Sequence, residues 1–258
     1  MARENCGELQ VYLRFYEELN DFLPPHRRKM EFVRSLAEPT TVKDLIEGCR
    51  VPHTEVDLIL VNSHPVNFDR IVRHGDKVSV YPVFESLDIS VVSRLQERPL
   101  RNPRFLADVN LGKLARYLRM AGFDTAYRND ADDPELIEQM HREDRALLTR
   151  DRRLLMRRAV QKGYLVRSDW AADQLSEVLR RFDLQGAVRP FTRCLHCNGG
   201  LERVNKREIL ERLKPLTKRY YDTFSRCTGC GRIYWKGSHM EQLDPKVSEI
   251  LQITDIKL

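Results

Sequence analysis

The chain has 258 residues, of which 41% are hydrophobic and 32% are charged, as is typical of a globular protein with one large domain or several small ones. No apolar run approaches the roughly 20 residues of a membrane span, and the first ten residues, MARENCGELQ, lack the apolar core of a signal peptide. We therefore expect no membrane partner and a cytoplasmic location.

The charge is distributed unevenly along the chain. The net charge is +6, but residues 1–93 contain 11 Lys and Arg against 15 Asp and Glu, whereas residues 94–258 contain 33 against 23. A basic surface attracts polyanions, so nucleic acid is the first partner to consider for the second part. The alternative is that the basic residues serve solubility alone.

The first segment predicts a small α+β domain. VYLRFYEEL and KMEFVRSL are typical of strands, TTVKDLIEGC predicts a helix capped by Thr40 or Thr41, and VDLILVNSHPV and DKVSVYPV predict two further strands. This order resembles the ubiquitin-like β-grasp domains of the thiamine and molybdopterin sulfur carriers. Those proteins end in a free Gly-Gly tail, whereas this chain continues. We therefore expect a module that docks a protein partner or orients a substrate.

A linker is predicted at 93–103, because QERPLRNP is rich in proline and arginine. From residue 104 onward, predicted strands and helices alternate, which implies a parallel sheet that binds ligands at the carboxyl ends of its strands. The first of these helices is LGKLARYLRMAG, whose leucines recur at helical spacing and predict one buried face. Lys113, Arg116 and Arg119 are then expected to point largely away from that face, and Gly122 is expected to end the helix.

Aspartates follow several of the predicted strands. They are Asp108, Asp130, Asp132, Asp133, Asp151 and Asp169. Because the carboxyl ends of parallel strands meet at one edge, such carboxylates converge, and a hard divalent cation relieves their repulsion. Magnesium or manganese held in this way can generate hydroxide and stabilise an in-line attack on a phosphodiester.

Each of these acids also has a structural explanation. Asp132 or Asp133, ahead of Pro134, is typical of a helix N-cap, and Asp169 can likewise cap the helix that follows it. Asp108 and Asp151 can also cap helices, but their position at strand ends favours a role as metal ligands.

Basic residues surround the predicted acidic site. Four of them are candidates for substrate binding: Lys113, Arg116, Arg150 and Arg152. An acidic site that handles a polyanion needs cations that bring the phosphate backbone close and offset like-charge repulsion. The alternative for any one of these residues is a solvated helix face.

Four of the six cysteines form two CxxC pairs that are separated by 29 residues, Cys194/Cys197 and Cys227/Cys230. Four thiolates at this spacing are typical of a closed, structural zinc site. A redox disulfide is the competing interpretation, but two pairs in a small glycine-containing module favour zinc. His196 lies between two of the predicted ligands and is expected to be exposed.

The segment between the two pairs, NKREILERLKPLTKRYYDTFSR, is basic and carries three clustered aromatic residues, Tyr220, Tyr221 and Phe224. Basic side chains with aromatics suit single-stranded RNA, through phosphate contacts and base stacking. The same rings can instead pack on the ribbon.

Three stretches together resemble the Mut-seven carboxyl-terminal RNase domain: ADVNLGKLARYLRMAGFDTAYRNDADD, RALLTRDRRLL and CLHCNGGL…RCTGCGRIYWKGSH. The resemblance implies a PIN-like nuclease fold with an appended zinc ribbon, preceded by a ubiquitin-like domain. It also implies a magnesium or manganese site that cuts RNA, with Asp108, Asp151 and the acidic loop from Asp130 to Asp133 as the acidic positions.

The predicted architecture is therefore α/β with three modules. Residues 1–92 form a β-grasp domain, 104–188 a PIN-like parallel-sheet domain, and 189–258 a zinc ribbon with the C-terminal tail. The predicted function is hydrolysis of RNA with Asp108, Asp130, Asp133 and Asp151 as catalytic residues. The alternative is an RNA-binding protein without catalysis, which uses the basic face and the ribbon.

Overall fold

The computed structural model describes residues 8–82, 103–235 and 244–251. The chain groups into two compact units. The first unit is Met1–Arg101 with Asp151–Leu165, and the second is Asn102–Arg150 with Val166–Leu258. The predicted domain boundaries stay predictions, and the predicted linker, apart from residue 103, lies outside the described residues. In the ranges described, no helix is both long and apolar enough to cross a membrane.

Short strands and helices alternate along both units. The strands are β1 Leu9–Phe15, β2 Phe32–Leu36, β3 Val56–Val61, β4 His64–Pro65, β5 Lys77–Pro82, β6 Phe105–Ala107, β7 Thr125–Tyr127, β8 Ala146–Thr149, β9 Gly163–Leu165, β10 Leu201–Val204, β11 Phe224–Cys227 and β12 Ile233–Trp235. The helices are α1 Val42–Glu47, α2 Gly112–Met120, α3 Asp133–Glu143, α4 Arg152–Leu155, α5 Ala171–Arg181, α6 Pro215–Tyr220 and α7 Pro245–Ile250.

The first unit contains a five-stranded sheet in the order β2-β1-β5-β3-β4. Strands β1 and β5 are parallel, and the other neighbouring strands are antiparallel. Thr41 caps α1, because its side chain accepts a hydrogen bond from the backbone N–H of Asp44. This is a ubiquitin-like β-grasp arrangement, and the fold predicted for this part of the chain is confirmed.

The segment with α4 and β9 packs against the short 3-10 helix at His53–Glu55 within the first unit. The ring Nε2 of His53 donates to the carbonyl oxygen of Val160 at 2.8 Å. The backbone N–H of Leu165 donates to Oε1 of Glu55 at 2.7 Å, and that glutamate is buried. Buried polar contacts of this kind fix the path of the segment, because an unpaired buried carboxylate would be costly.

The second unit is built around a parallel sheet in which β6 pairs with β7 on one side and with β8 on the other. All residues of β6 and β8 are buried, as is typical of parallel strands that are covered on both faces. Helix α2 packs against α5, and the ring of Phe105 meets that of Phe182 with their centroids 5.1 Å apart. The predicted parallel sheet is confirmed, and its carboxyl edge carries the end of β6.

The ribbon part of the second unit is an antiparallel sheet in the order β10-β11-β12. Its small core consists of Val204, Ile209, Leu213 and Phe224. Tyr221 packs against this core, whereas Tyr220 is 65% exposed. Of the three aromatic residues noted in the sequence, Phe224 and Tyr221 therefore pack on the ribbon.

Candidate functional site

Asp108 lies directly after β6, the central paired strand of the parallel sheet, and is only 6% exposed. Its Oδ1 accepts a hydrogen bond from the backbone N–H of Val109 at 2.6 Å, and its Oδ2 accepts one from the Thr149 hydroxyl at 2.6 Å. Thr149 ends β8, so this carboxylate joins two neighbouring strand ends. Within the described chain, no Lys or Arg nitrogen forms an ion pair with Asp108.

Asp151 follows β8 by two residues and caps α4, since its Oδ1 accepts from the backbone N–H of Arg153 at 2.7 Å. Asp169 is 79% exposed and forms an ion pair with Arg150. The capping role that the sequence allowed for Asp151 is thus present in the structure, and it uses one carboxylate oxygen. Its predicted role as a metal ligand stays a prediction.

The acidic loop after β7 divides into a helix cap and an ion pair. Asp132 is the N-cap of α3: its side chain accepts from the N–H of Glu135, whose side chain accepts from the N–H of Asp132. Asp130 pairs with Arg128 at 3.2 Å, and Asp133 is the first residue of α3. The N-cap interpretation is confirmed for Asp132 and leaves Asp130 and Asp133 as the predicted catalytic members of this loop.

Four cysteines come together in the ribbon. In the part of the chain that the structure describes, Cys194, Cys197, Cys227 and Cys230 are the only group of three or more His, Cys, Asp or Glu whose ligand atoms lie within 4.8 Å of one another. The structure therefore brings the predicted zinc ligands together and does not bring three of the predicted acids into such a group. His196 is exposed and outside the cluster, as expected.

The geometry of the cluster fits a tetrahedral metal. Sγ of Cys194 lies 3.6 Å from that of Cys230, and Sγ of Cys197 lies 3.4 Å from that of Cys227. The backbone N–H groups of Cys197 and Cys230 each point at the sulfur three residues earlier, as backbone donors do around metal-bound thiolates. The four residues can hold zinc in a closed site.

The electrostatics of the sulfurs also call for a cation. Burial opposes ionisation of Cys194, but the backbone N–H of Cys197 and the Tyr234 hydroxyl outweigh it and lower the pKa of Cys194 to about 6. Burial, together with the thiols of the neighbouring cysteines, raises the pKa of Cys197 to about 12. Packed thiols repel one another when they ionise together, and a cation such as zinc at the centre of the cluster would offset that repulsion.

The first cysteine pair is fastened to the parallel-sheet domain by Arg119, which is 6% exposed. Its guanidinium donates to the carbonyl oxygens of Thr125, Leu195 and His196 at 2.8, 3.2 and 2.9 Å. Burial lowers the pKa of Arg119, and the neighbouring cysteines and Asp124 oppose that shift. The expectation that Arg119 points away from the buried face is wrong, because the ribbon covers this side of α2.

Asn198 and Asp124 complete this attachment. The Asn198 side chain accepts from the N–H of Thr125 at 3.0 Å and donates to Oδ1 of Asp124 at 2.7 Å. Asp124 also pairs with buried Arg145 at 2.6 Å. Burial would raise the pKa of Asp124, but the hydrogen bonds from Arg145 and Asn198 outweigh it and hold that pKa below its usual range.

Of the four basic residues predicted to bind substrate, three have local partners. Arg150 pairs with Asp169, the Arg152 guanidinium lies 5.0 Å from the centre of the Phe22 ring, and Lys113 lies 5.7 Å from that of Tyr117. The fourth is exposed Arg116, which lines a cavity between α2 and the ribbon sheet. It has no ion pair among the described residues.

Sequence reasoning did not identify the residues that attach the ribbon. The apolar spacing of α2 cannot show that Arg119 donates to the carbonyl oxygen of Leu195, which is 76 residues later in the chain. The one available signal for Arg119 was its position at the edge of the apolar stripe, one helical turn after Ala115. Arg203 and Arg232, which also line the cavity, were missed because strand alternation around them is short.

The fold and site together define a protein with a ubiquitin-like domain, a parallel-sheet domain and a four-cysteine ribbon. Two family models match the chain in that order: Mut7-C ubiquitin over residues 8–88, and Mut7-C RNAse domain over residues 103–247. The chain belongs to the Mut7-C RNAse domain family, which confirms the resemblance and supports a nuclease or RNA-related function. No curated protein and no solved structure matched the chain.

Proposed function

We propose that this protein is a metal-dependent ribonuclease whose acidic site is centred on Asp108. The observation that carries the proposal is a carboxylate that is almost fully buried at the carboxyl edge of a parallel sheet, with hydrogen bonds from two strand ends and no ion-pair partner in the described ranges. Ligand sites in α/β sheets lie at this edge. The membership of an RNase family supports RNA as the substrate.

The donor set fits a hard divalent ion. Each oxygen of Asp108 accepts one hydrogen bond, and a carboxylate oxygen has lone-pair capacity for a second partner. Magnesium is commonly bound through one or two carboxylates, waters and substrate phosphates, so a ready group of three acids is not required. Asp151 is the proposed second ligand, and Asp130 and Asp133 are the proposed contributors from the loop.

The ion, when bound, supplies a water of lowered pKa and neutralises charge on the phosphodiester. The residues of the chain have separate tasks. The Thr149 hydroxyl and the Val109 N–H hold the Asp108 carboxylate in one orientation, so that it does not need to reorganise when phosphate arrives. Lys113, Arg116, Arg150 and Arg152 are the proposed contacts to the RNA backbone, and the zinc is structural.

A second candidate is an RNA-binding protein without catalysis. Two observations favour it. Asp108 caps the short 3-10 helix at Val109–Leu111, as Asp132 caps α3 and Asp151 caps α4, and three acids do not gather within the described parts of the chain. Caps of this kind explain the acids without a metal.

The test is cleavage of a 5′-labelled RNA by the full chain in magnesium, manganese or neither, with Asp108→Asn and Asp151→Asn. We expect each substitution to slow metal-dependent cleavage by at least about 100-fold while RNA is still retained at low salt. Asp183→Asn is the matched control, because Asp183 is exposed and its positive φ of 49° also suits asparagine. Retention of RNA without any metal-dependent cutting would favour the second candidate, and cutting by Asp108→Asn at the wild-type rate would exclude this acidic site.

A further inference from the structure

A cavity of about 690 Å³ lies between α2 and the ribbon sheet of the second unit. Arg116 and Met120 of α2 line one side of it, and the ribbon and its first knuckle line the other. Its volume is within the range of about 300–1,000 Å³ that is usual for ligand sites. No part of the proposed acidic site lines it.

The ribbon side of the cavity is built by strand alternation. Arg203 of β10 lies opposite Ser225 of β11, which in turn lies opposite Tyr234 of β12. Cross-strand neighbours project to the same face, so these three side chains form one polar row, and all three line the cavity. Their chain neighbours Val204 and Phe224 are buried in the ribbon core. The polar row is therefore fixed by the register of the sheet.

The charge of the cavity is strongly one-sided. Four arginines line it, Arg116, Arg203, Arg212 and Arg232, and none of the described lining residues is acidic. Arg212 donates to the carbonyl oxygen of Gly231 at 2.9 Å, whereas no acidic partner is present for the other three in the described ranges. Guanidinium groups that line one cavity without acidic partners give it a positive potential, which favours the binding of a polyanion.

The Tyr234 ring adds aromatic surface on the side of the polar row, and Thr223 and Ser225 add hydroxyls. Trp235 also borders the cavity, but it lies opposite Phe224 and packs against the ribbon core. Arginine forks recognise phosphate oxygens, and exposed ring surface accepts a stacked base of any identity. Both features are needed for a nucleotide chain, whereas a bare inorganic anion needs only the first. The second unit therefore offers phosphate contacts and a base-contacting wall in one cavity.

We propose that this cavity binds a single-stranded segment of the RNA, with Arg116, Arg203 and Arg232 on phosphates and a base against the Tyr234 ring. The inference deepens the proposed function, on which it rests for the identity of the ligand as RNA. It concerns binding alone and needs no metal at Asp108, so it can fail or succeed independently of cleavage.

The test measures binding of a fluorescein-labelled oligouridine to the zinc-loaded full chain with Asp108→Asn and Trp170→Phe, in buffer without added magnesium or manganese. Trp235 is then the sole tryptophan. Arg203→Gln and Arg232→Gln each remove one proposed phosphate contact, and we expect each to weaken binding about tenfold. Arg226→Gln is the matched control, because Arg226 lies on the same ribbon, pairs with Glu202 and does not line the cavity.

Two further readouts separate this site from a general basic surface. Each cavity variant should reduce the slope of log affinity against log salt concentration by about 0.7, as expected for one lost contact to single-stranded nucleic acid. The emission of Trp235, the chain neighbour of Tyr234 at the border of the cavity, should change when unlabelled oligouridine binds. Polyglutamate of equal charge should compete poorly.

The proposal is overturned if the cavity variants bind like Arg226→Gln, if Trp235 emission stays constant on binding, or if polyglutamate competes as well as oligouridine. Cleavage of RNA by the parent protein with Asp108 intact is measured separately. If oligouridine binds as expected but the parent protein cleaves no RNA, only the proposed ribonuclease activity is rejected. If the parent protein cleaves RNA but the cavity variants bind oligouridine with unchanged affinity, only the proposed binding cavity is rejected.

Discussion

Arg119 provides the sharpest test of how the ribbon is held. Replacement by methionine keeps an unbranched apolar stem but removes the donors to the carbonyl oxygens of Thr125, Leu195 and His196. Each buried acceptor left unpaired costs about 1–3 kcal/mol. Because burial of the guanidinium itself is unfavourable, we use the lower end of that range for each of the three, and expect Arg119→Met to lower the free energy of unfolding by about 3 kcal/mol.

The assay is urea unfolding of the zinc-loaded full chain with Trp170→Phe, followed by the emission of Trp235, which reports on the ribbon. Arg116→Met is the control, because Arg116 is exposed on the same helix and has no ion pair within the described chain. We expect the control to change the free energy of unfolding by less than about 0.5 kcal/mol. Arg119→Met should also release zinc to a chromophoric chelator faster than the control does. Equal stability of the two variants would refute the attachment argued from these three hydrogen bonds.

Three further predictions concern the same region. Asp124→Asn should lower the free energy of unfolding most at pH values above about 4. The reason is that the pKa of Asp124 is depressed in the folded state, so the carboxylate stabilises the fold above its unfolded pKa and loses that contribution as pH falls through the folded pKa. Urea unfolding of both proteins between pH 3 and 7 measures whether the difference between their free energies of unfolding shrinks at low pH, and a constant difference would contradict the prediction. Removal of zinc by chelation, or Cys227→Ser, should unfold the ribbon while the β-grasp sheet keeps its amide-exchange protection, and loss of protection in both would be inconsistent with a local structural site. Gly122→Ala should lower the free energy of unfolding by about 2 kcal/mol or more, since Gly122 has a φ of +99° and a Cβ there would lie 2.3 Å from the carbonyl oxygen of Arg189. Thermal unfolding measures this loss, and Gly186→Ala is the control because nothing lies within 4 Å of a Cβ at that position. Equal losses in the two variants would contradict the prediction.

Much of the local structure could be predicted from the sequence because local chemistry determines it. The strand at β1 follows from alternation, α1 from the Thr41 cap, and the end of α2 from a glycine whose φ only glycine adopts easily. The cysteine cluster could be predicted because spacing alone brings a CxxC pair to one metal.

The remainder could not be predicted because it depends on contacts between distant segments. Whether Arg119 is solvated or buried depends on whether another part of the chain covers that side of α2. The spacing of apolar residues within the helix does not reveal this. The same limit applies to the acids: an aspartate between a strand and a helix looks identical whether it is an exposed cap, as Asp132 is, or a buried cap that also joins two strand ends, as Asp108 is. Burial and hydrogen-bond partners separate them, and both are tertiary properties.

Helix α2 connects three features that the sequence presents separately. It begins four residues after Asp108, carries Arg116 on the cavity side, and near its C-terminal end carries Arg119, which binds the carbonyls of the first zinc knuckle. Because one short helix contacts the first knuckle and also lines the cavity, we expect loosening of the knuckle to alter the wall of the cavity as well. If zinc binds only the folded ribbon, it should stabilise the proposed RNA site by the same linkage, and oligouridine bound there should in turn raise the affinity of the ribbon for zinc. This reciprocity distinguishes a ribbon that is part of the binding site from one that is merely tethered beside it.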